Sequence, residues 1–218
     1  LHTPLFLLNQ MINRKMNSSE KIICFLEKKQ AKRSIGVTSP TKALARVVSN
    51  YWNIDLSDVM IIPNGINIEK IRTMDLEQKT LDSEYLVYVG RLEPRKGVHI
   101  LAKALPGVFR QYPNLKMVFI GKDTGYGNKS MKEFILDVNR KYRENIIFTG
   151  FVSEEKKYSL IKHCKFVVLP SLWENFPYTC LESMALNKVI VATKGSGYDE
   201  IIEDGQSGFL VKPREHIA

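Results

Sequence analysis

Glu174 and Glu182 stand eight positions apart, where an apolar run gives way to a turn and then to a helix. The run Phe166-Val167-Val168-Leu169 stops at Pro170. Pro177 suits the first position of a helix, because its fixed φ fits there and its missing N–H leaves no bond unmade. That reading puts Glu174 in the turn and Glu182 about one and a half turns into the helix. The amides of Tyr178 and Thr179 then lie at the helix start, where they have no intrahelical partner and can face an anion. Two carboxylates and a helix N-terminus are expected to converge on a crevice at the C-terminal edge of a sheet, the place where open α/β sheets bind nucleotides.

A second constellation, Gly90-Arg91-Leu92-Glu93-Pro94-Arg95-Lys96-Gly97, follows the strand-like run Tyr85–Val89. Gly90 permits a tight turn and close backbone approach. Arg91 offers a planar fork for phosphate oxygens, and Lys96 adds a movable point charge. A diphosphate needs such neutralisation, above all as a leaving group. Glu182 has two acceptor oxygens for neighbouring ribose hydroxyls. Glu174 suits sugar hydroxyls, or balances positive charge in the pocket. Backbone groups of Phe151 and Val152, after Thr149-Gly150, could read a nucleobase edge. Each feature also has a plain structural reading: a solvated basic loop, an exposed helix glutamate, a turn carboxylate facing water, an ordinary β-to-α loop. The expected placement of the Gly90 and Glu174 loops on one edge favours a site.

Other turns say less. Gly195-Ser196-Gly197 either lets backbone approach a ligand or serves turn geometry alone, and Asp204–Gly208 reads as a plain turn. Gly121–Gly127 lacks the GxGxxG spacing of a dinucleotide site. His99 and His163 stand singly, and no HExxH or Asp-x-Asp occurs, so the sequence requires no metal.

The elements that must position these residues alternate. Strands are expected at Tyr85–Val89, Lys116–Ile120, Ile146–Thr149, Phe166–Leu169, Val189–Ala192 and Phe209–Val211. Helices are expected at Val98–Gln111, Ser130–Tyr142, Ser153–His163 and Tyr178–Asn187, with a short one near Tyr198–Ile202. This pattern implies βαβ units and a parallel sheet. Earlier in the chain, Ser34–Thr38 and Val59–Ile62 read as strands around a helix that starts with Ser39 as cap and Pro40 at its first position. Lys21–Glu27 fits either helix or strand. Residues 65–84 turn polar and read as a linker between a segment 1–64 and a domain 85–218.

Together these residues resemble the retaining glycosyltransferases of family 4, which have the GT-B fold. The match runs from about Ile35 to Lys212. It includes Val37-Thr38-Ser39, Pro63-Asn64-Gly65-Ile66, Gly90-Arg91 through Lys96-Gly97, Phe148–Phe151, Glu174 through Glu182-Ser183-Met184-Ala185, and Gly197–Glu200. The resemblance implies an α/β architecture: a Rossmann-like parallel sheet with helices on both faces, the C-terminal half of GT-B, after a partial N-terminal α/β segment. It implies that Arg91 and Lys96 grip the donor diphosphate, Glu182 holds the ribose, and Glu174 approaches the transferred hexosyl group or its phosphates. Cation clamps stand in place of a metal, no cofactor is required, and anomeric configuration is retained. The implied role is transfer from a nucleotide-diphosphate sugar to a glycan or lipid-linked acceptor, in polysaccharide or glycoconjugate assembly. A non-enzymatic nucleotide-sugar binder or a GT-B epimerase are the alternatives. The family commonly has glycine where this chain has Asn175, Pro177 and Ser196.

The bulk properties agree. Among 218 residues, 44% are hydrophobic, enough for a core, and no run of about 18 apolar residues suggests a membrane span. Three separated cysteines without CxxC spacing fit a reducing cytoplasm. A net charge of +9 suits anionic ligands or peripheral contact with an anionic membrane, and no motif points to nucleic acid. Starting at Leu1 and ending at Ala218, the chain reads as a fragment: the tail of an acceptor-side domain plus a truncated donor-binding domain, with little transfer expected from it alone.

Overall fold

The computed structural model describes residues 2–11, 13–76, 79 and 81–213. The chain begins with α1 (Leu5–Met11) and α2 (Ser18–Arg33). Asn17 and Glu20 close a reciprocal capping box at the start of α2, which settles the Lys21–Glu27 run as helix. Strand β1 (Val37–Ser39), helix α3 (Lys42–Trp52) and strand β2 (Val59–Ile61) follow, and β1 pairs with β2 in parallel. The α3 cap is Thr41, not Ser39: its hydroxyl accepts from the Leu44 amide at 3.2 Å. Ser39 instead donates to the Thr41 carbonyl at 2.8 Å, which leaves Pro40 outside the helix.

The stretch read as a polar linker is a packed element. It contains α4 (Ile68–Arg72), and Ile71 and Leu76 are buried in the core of the sheet that follows. Polar composition hid this, because a few spaced apolar side chains, Ile66, Ile71, Met74, Leu76 and Leu81, anchor the stretch on that core.

The larger sheet is assembled from β3 (Tyr85–Val89), α5 (Val98–Gln111), β4 (Lys116–Ile120), α6 (Met131–Val138), β5 (Ile146–Gly150), α7 (Glu154–His163), β6 (Val167–Leu169), α8 (Tyr178–Ala185), β7 (Ile190–Thr193) and β8 (Phe209–Val211). Its six strands are parallel, in the order β5-β4-β3-β6-β7-β8. Alternate residues of the central strands enter opposite cores. Tyr85, Val87, Val118 and Ile120 face the core that also takes Leu160 and Cys180 from α7 and α8. Leu86, Tyr88, Met117 and Phe119 face the core that takes Ala102 and Ile135 from α5 and α6. The sheet is therefore covered by helices on both faces, as the alternating βα pattern requires. From β3 the chain winds outward to β5, then crosses back to β6 and winds the other way, so β3 and β6 flank the switch point.

Several helix boundaries differ from expectation: α6 spans Met131–Val138 and not Ser130–Tyr142, α7 starts at Glu154 and not Ser153, and α8 ends at Ala185 and not Asn187. α6 stops at Val138 because the Asn139 side chain donates to the Ala102 and Ile135 carbonyls, each at 2.9 Å, and a separate 3-10 stretch follows. Pro177 precedes α8 as its cap rather than opening it, since its ψ of 97° is extended.

The glycine-rich loop after β4 is organised by Asp123. Its carboxylate accepts from the amides of Gly125, Met131 and Lys132 at 2.9, 3.1 and 3.0 Å, and from the Ser130 hydroxyl at 2.7 Å. Burial works to raise its pKa, but these donors, led by Lys132 and Ser130, outweigh it and hold the carboxyl below its ordinary value. A depressed carboxyl stabilises the fold above its unfolded pKa, near 3.9, and that contribution is lost as pH falls through the folded value. Urea unfolding of Asp123→Asn should show reduced stability at pH 7. Between pH 5 and about 3, the variant's stability should fall less steeply than that of the wild type.

Candidate functional site

The loops after β3 and β6 meet in direct contact. The αL residue Gly97 (φ 67°) lies so close to the β6 loop that an added Cβ would fall 1.8 Å from the Pro170 carbonyl oxygen. The Leu172 amide donates to the Arg95 carbonyl at 2.9 Å. Across this junction Lys96 and Glu174 form an ion pair, with side chains 20% and 12% exposed. Ser171 donates to the same Glu174 oxygen, Oε1, at 2.7 Å. A third loop joins at the backbone, where the Gly197 amide donates to the Glu174 carbonyl at 2.8 Å.

Gly90 comes directly after β3, and its amide donates to the Ile120 carbonyl at 2.9 Å. Arg91 is more open, with its side chain 58% exposed, and lies 3.2 Å from Glu93 Oε1. Arg95 reaches that same oxygen at 2.9 Å. Tyr88 supports the loop from below by donating to the Arg91 carbonyl at 2.6 Å. Burial above all, with the Glu174 charge next, pushes the Tyr88 phenol well above its ordinary pKa, so it remains a donor. Glu93 and Arg95 belong to the Gly90–Gly97 constellation, but the sequence assigns them no role. The two guanidiniums share one carboxylate, which leaves this loop with an excess of positive charge.

Glu182 lies on α8 and has separate partners, both from α7. Lys157 Nζ is 2.8 Å from Oε1, and the Tyr158 hydroxyl donates to that oxygen at 3.1 Å. Burial, reinforced by the Glu182 charge, raises the Tyr158 pKa and keeps its proton in place. Tyr178 is exposed and Thr179 half-buried in the first turn of α8, just after the Glu174 loop. Phe151 is 90% exposed beyond the end of β5, while the Val152 side chain packs into the core, so only the backbone of Val152 is placed to meet a ligand. The edge thus brings Lys96 and Glu174 into contact, with Arg91 on the Lys96 loop but paired to Glu93, Glu182 one element further on and Phe151 at the end of β5.

A cleft of about 530 Å³ opens between this edge and the N-terminal segment. Thr3, Ser39 and Asn64 line one wall, and Arg95, Glu174 and Asn175 the other.

The family described as Glycosyl transferases group 1 matches residues 70–218, more than half of the chain and all of the edge just described. The chain belongs to this family. Among its relatives is an uncharacterized glycosyltransferase of Methanocaldococcus jannaschii, 28% identical over 213 residues, covering 91% of this chain and 52% of that protein. The glycogen synthase of Mycobacterium tuberculosis is 30% identical over 170 residues, covering 77% of this chain and 39% of that enzyme. The chain therefore spans about half, or less, of the length of these relatives. Two solved structures share the fold. Sucrose-phosphate synthase from Thermosynechococcus elongatus aligns with a TM-score of 0.71 at 19% identity, over 93% of this chain and 50% of that one. Anabaena HepE in complex with UDP-glucose aligns with a TM-score of 0.71 at 22% identity, over 88% of this chain and 54% of that one. The Rossmann-like parallel-sheet fold that the resemblance implies, as in one half of GT-B glycosyltransferases, is thus the observed one.

Among the described residues, no three His, Cys, Asp or Glu side chains group in a way that could hold a metal ion. No described helix is long and apolar enough to cross a membrane. Cys24, Cys164 and Cys180 are buried and unpaired, and burial pushes the Cys180 thiol up to about 12.

The junction of the two loops makes Gly97 irreplaceable. Gly97→Ala combines a positive φ with a clash against rigid backbone, and should destabilise the protein by roughly 2–4 kcal/mol in urea unfolding. A loss within about 0.5 kcal/mol of wild type would show that the loops can separate without cost.

Proposed function

We propose that this chain carries the donor-binding site of a retaining, hexosyl-transferring glycosyltransferase of family 4, using a nucleotide-diphosphate sugar. The observation that carries the reading is the Lys96–Glu174 pair, which puts a cation and a carboxylate from two loops together at the switch point. Lys96 and Arg91 neutralise the diphosphate, with amides at the start of α8 facing the same anion. Glu182, held by Lys157 and Tyr158, accepts from the ribose hydroxyls. Backbone of Phe151 and Val152 meets the base, and Glu174 turns toward the transferred sugar.

In the reaction, the acceptor hydroxyl attacks the anomeric carbon as the bond to the diphosphate breaks. A departing phosphate oxygen on the same face accepts the hydroxyl proton, which keeps the anomeric configuration. Arg91 and Lys96 stabilise the charge that grows on the leaving group, so no cofactor is assigned a step. Support for the donor class comes from the shared fold of HepE, described with UDP-glucose. The acceptor, a glycan or a lipid-linked glycoconjugate, enters from the side of the N-terminal segment. Work in polysaccharide or glycoconjugate assembly at the cytoplasmic side, with peripheral membrane contact, fits the net charge of +9.

A thermal-shift panel of UDP, GDP and ADP identifies the nucleotide, since a ligand that binds only the folded state raises the melting temperature. With that nucleotide, Lys96→Ala should weaken binding by roughly 1.5–3 kcal/mol in calorimetry, and an unchanged affinity removes Lys96 from the site. Glu182→Gln should weaken the free nucleoside as well as the nucleotide. A variant that loses affinity only for the sugar-bearing donor refutes the ribose assignment.

A further inference from the structure

The turn that carries Glu174 is tied to the N-terminal segment by two routes that the donor reading leaves unused. The first runs through Asn175. Its Nδ2 donates to Thr3 Oγ1 at 2.6 Å, and its Oδ1 accepts from Trp173 Nε1 at 2.8 Å. Trp173 in turn packs against the N-terminal core of Phe6, Leu7, Leu44, Val48 and Trp52. A glycine at position 175, the residue common in the resembled family, would make neither bond.

The second route starts at the Glu174 carbonyl, which accepts from the Gly197 amide. Gly197 is pressed so closely on this turn that an added Cβ would lie 2.3 Å from the Asn175 carbonyl oxygen. It opens a 3-10 turn, Gly197–Glu200, anchored by fully buried Tyr198. At the end of this turn the Glu200 carboxylate accepts from the amides of Lys42 and Ala43, at 2.9 and 2.7 Å. These are the first two residues of α3, whose opening amides have no intrahelical partner. Thr38, Ser39 and Pro40, just before α3, line the cleft opposite Glu174.

We propose that Asn175 and Glu200 are positioning residues that register the Glu174 carboxylate on the opposite wall of the cleft. One clamps the turn forward through Trp173 and Thr3. The other clamps it sideways through a rigid glycine-started turn onto α3. Both routes reach the backbone of the Glu174 turn and not the Gly90–Gly97 loop, which meets that turn through the Lys96–Glu174 pair, so the clamp acts more on the sugar end of the donor than on the nucleotide end. This inference rests on the reading of Glu174 as the group that faces the transferred sugar.

The test uses the whole 218-residue chain with Asn175→Gly, Glu200→Ala and Glu200→Gln. Amide hydrogen exchange is followed without ligand, and UDP and UDP-glucose are titrated by calorimetry. Glu200→Ala should speed exchange at Lys42 and Ala43 about tenfold or more, and Glu200→Gln, which keeps one acceptor oxygen, should fall between. Asn175→Gly and Glu200→Ala should each leave the UDP affinity within about twofold while weakening UDP-glucose about fivefold or more. Unchanged exchange at Lys42 and Ala43, or equal weakening of both ligands, overturns the clamp. If the wild type binds none of UDP, GDP, ADP or their glucose conjugates, the donor reading has failed, and faster exchange confined to the α3 start still supports the contact between the two walls.

Discussion

The site depends on two loops being forced together where the sheet reverses its winding. Gly97 makes that possible by giving Pro170 the space a side chain would take, and the Lys96–Glu174 pair then spans the seam. Both side chains are mostly buried, so the cost of desolvating them offsets much of the pair's attraction. Its value lies in geometry. Two opposite charges from separate loops are held in one place before any ligand arrives, and a phosphate group that approaches Lys96 meets a cation already partly stripped of water. The carboxylate it leaves is fixed by Ser171, so it stays where the sugar would lie.

The rest of the architecture serves this seam. Alternating apolar residues on β3 and β4 feed two cores, which stiffen the strands from both faces and fix where their C-terminal ends point. Asp123 ties down the neighbouring loop, Tyr88 braces the Arg91 backbone from beneath, and Lys157 and Tyr158 hold one oxygen of Glu182. Lys96, Glu174 and Glu182 are thus each backed by a partner from a different element, whereas Arg91 pairs with Glu93 of its own loop.

Much of this could be read from residue order alone. Strands β3, β4 and β8 and helix α5 begin and end where the periodicity places them, because each is bounded by glycine, proline or a polar turn. The parallel sheet follows from the alternation of strands and helices. Local signals failed where the deciding contact was distant. Ser39-Pro40 looks like a helix start until Thr41 supplies a better cap, and residues 65–84 look like a tether until Ile71 and Leu76 find the core. Nothing near Glu182 announces Lys157, which lies 25 residues earlier on another helix. Arg95 receives no role from the sequence because only the folded loop brings it onto Glu93 and into the cleft.

A crystal structure of this chain soaked with UDP tests the central claim most directly. The account predicts diphosphate density within hydrogen-bonding reach of Lys96 and Arg91, and a ribose whose hydroxyls meet Glu182. Density for the diphosphate on any other face of the molecule, with the Lys96–Glu174 pair undisturbed, would contradict it.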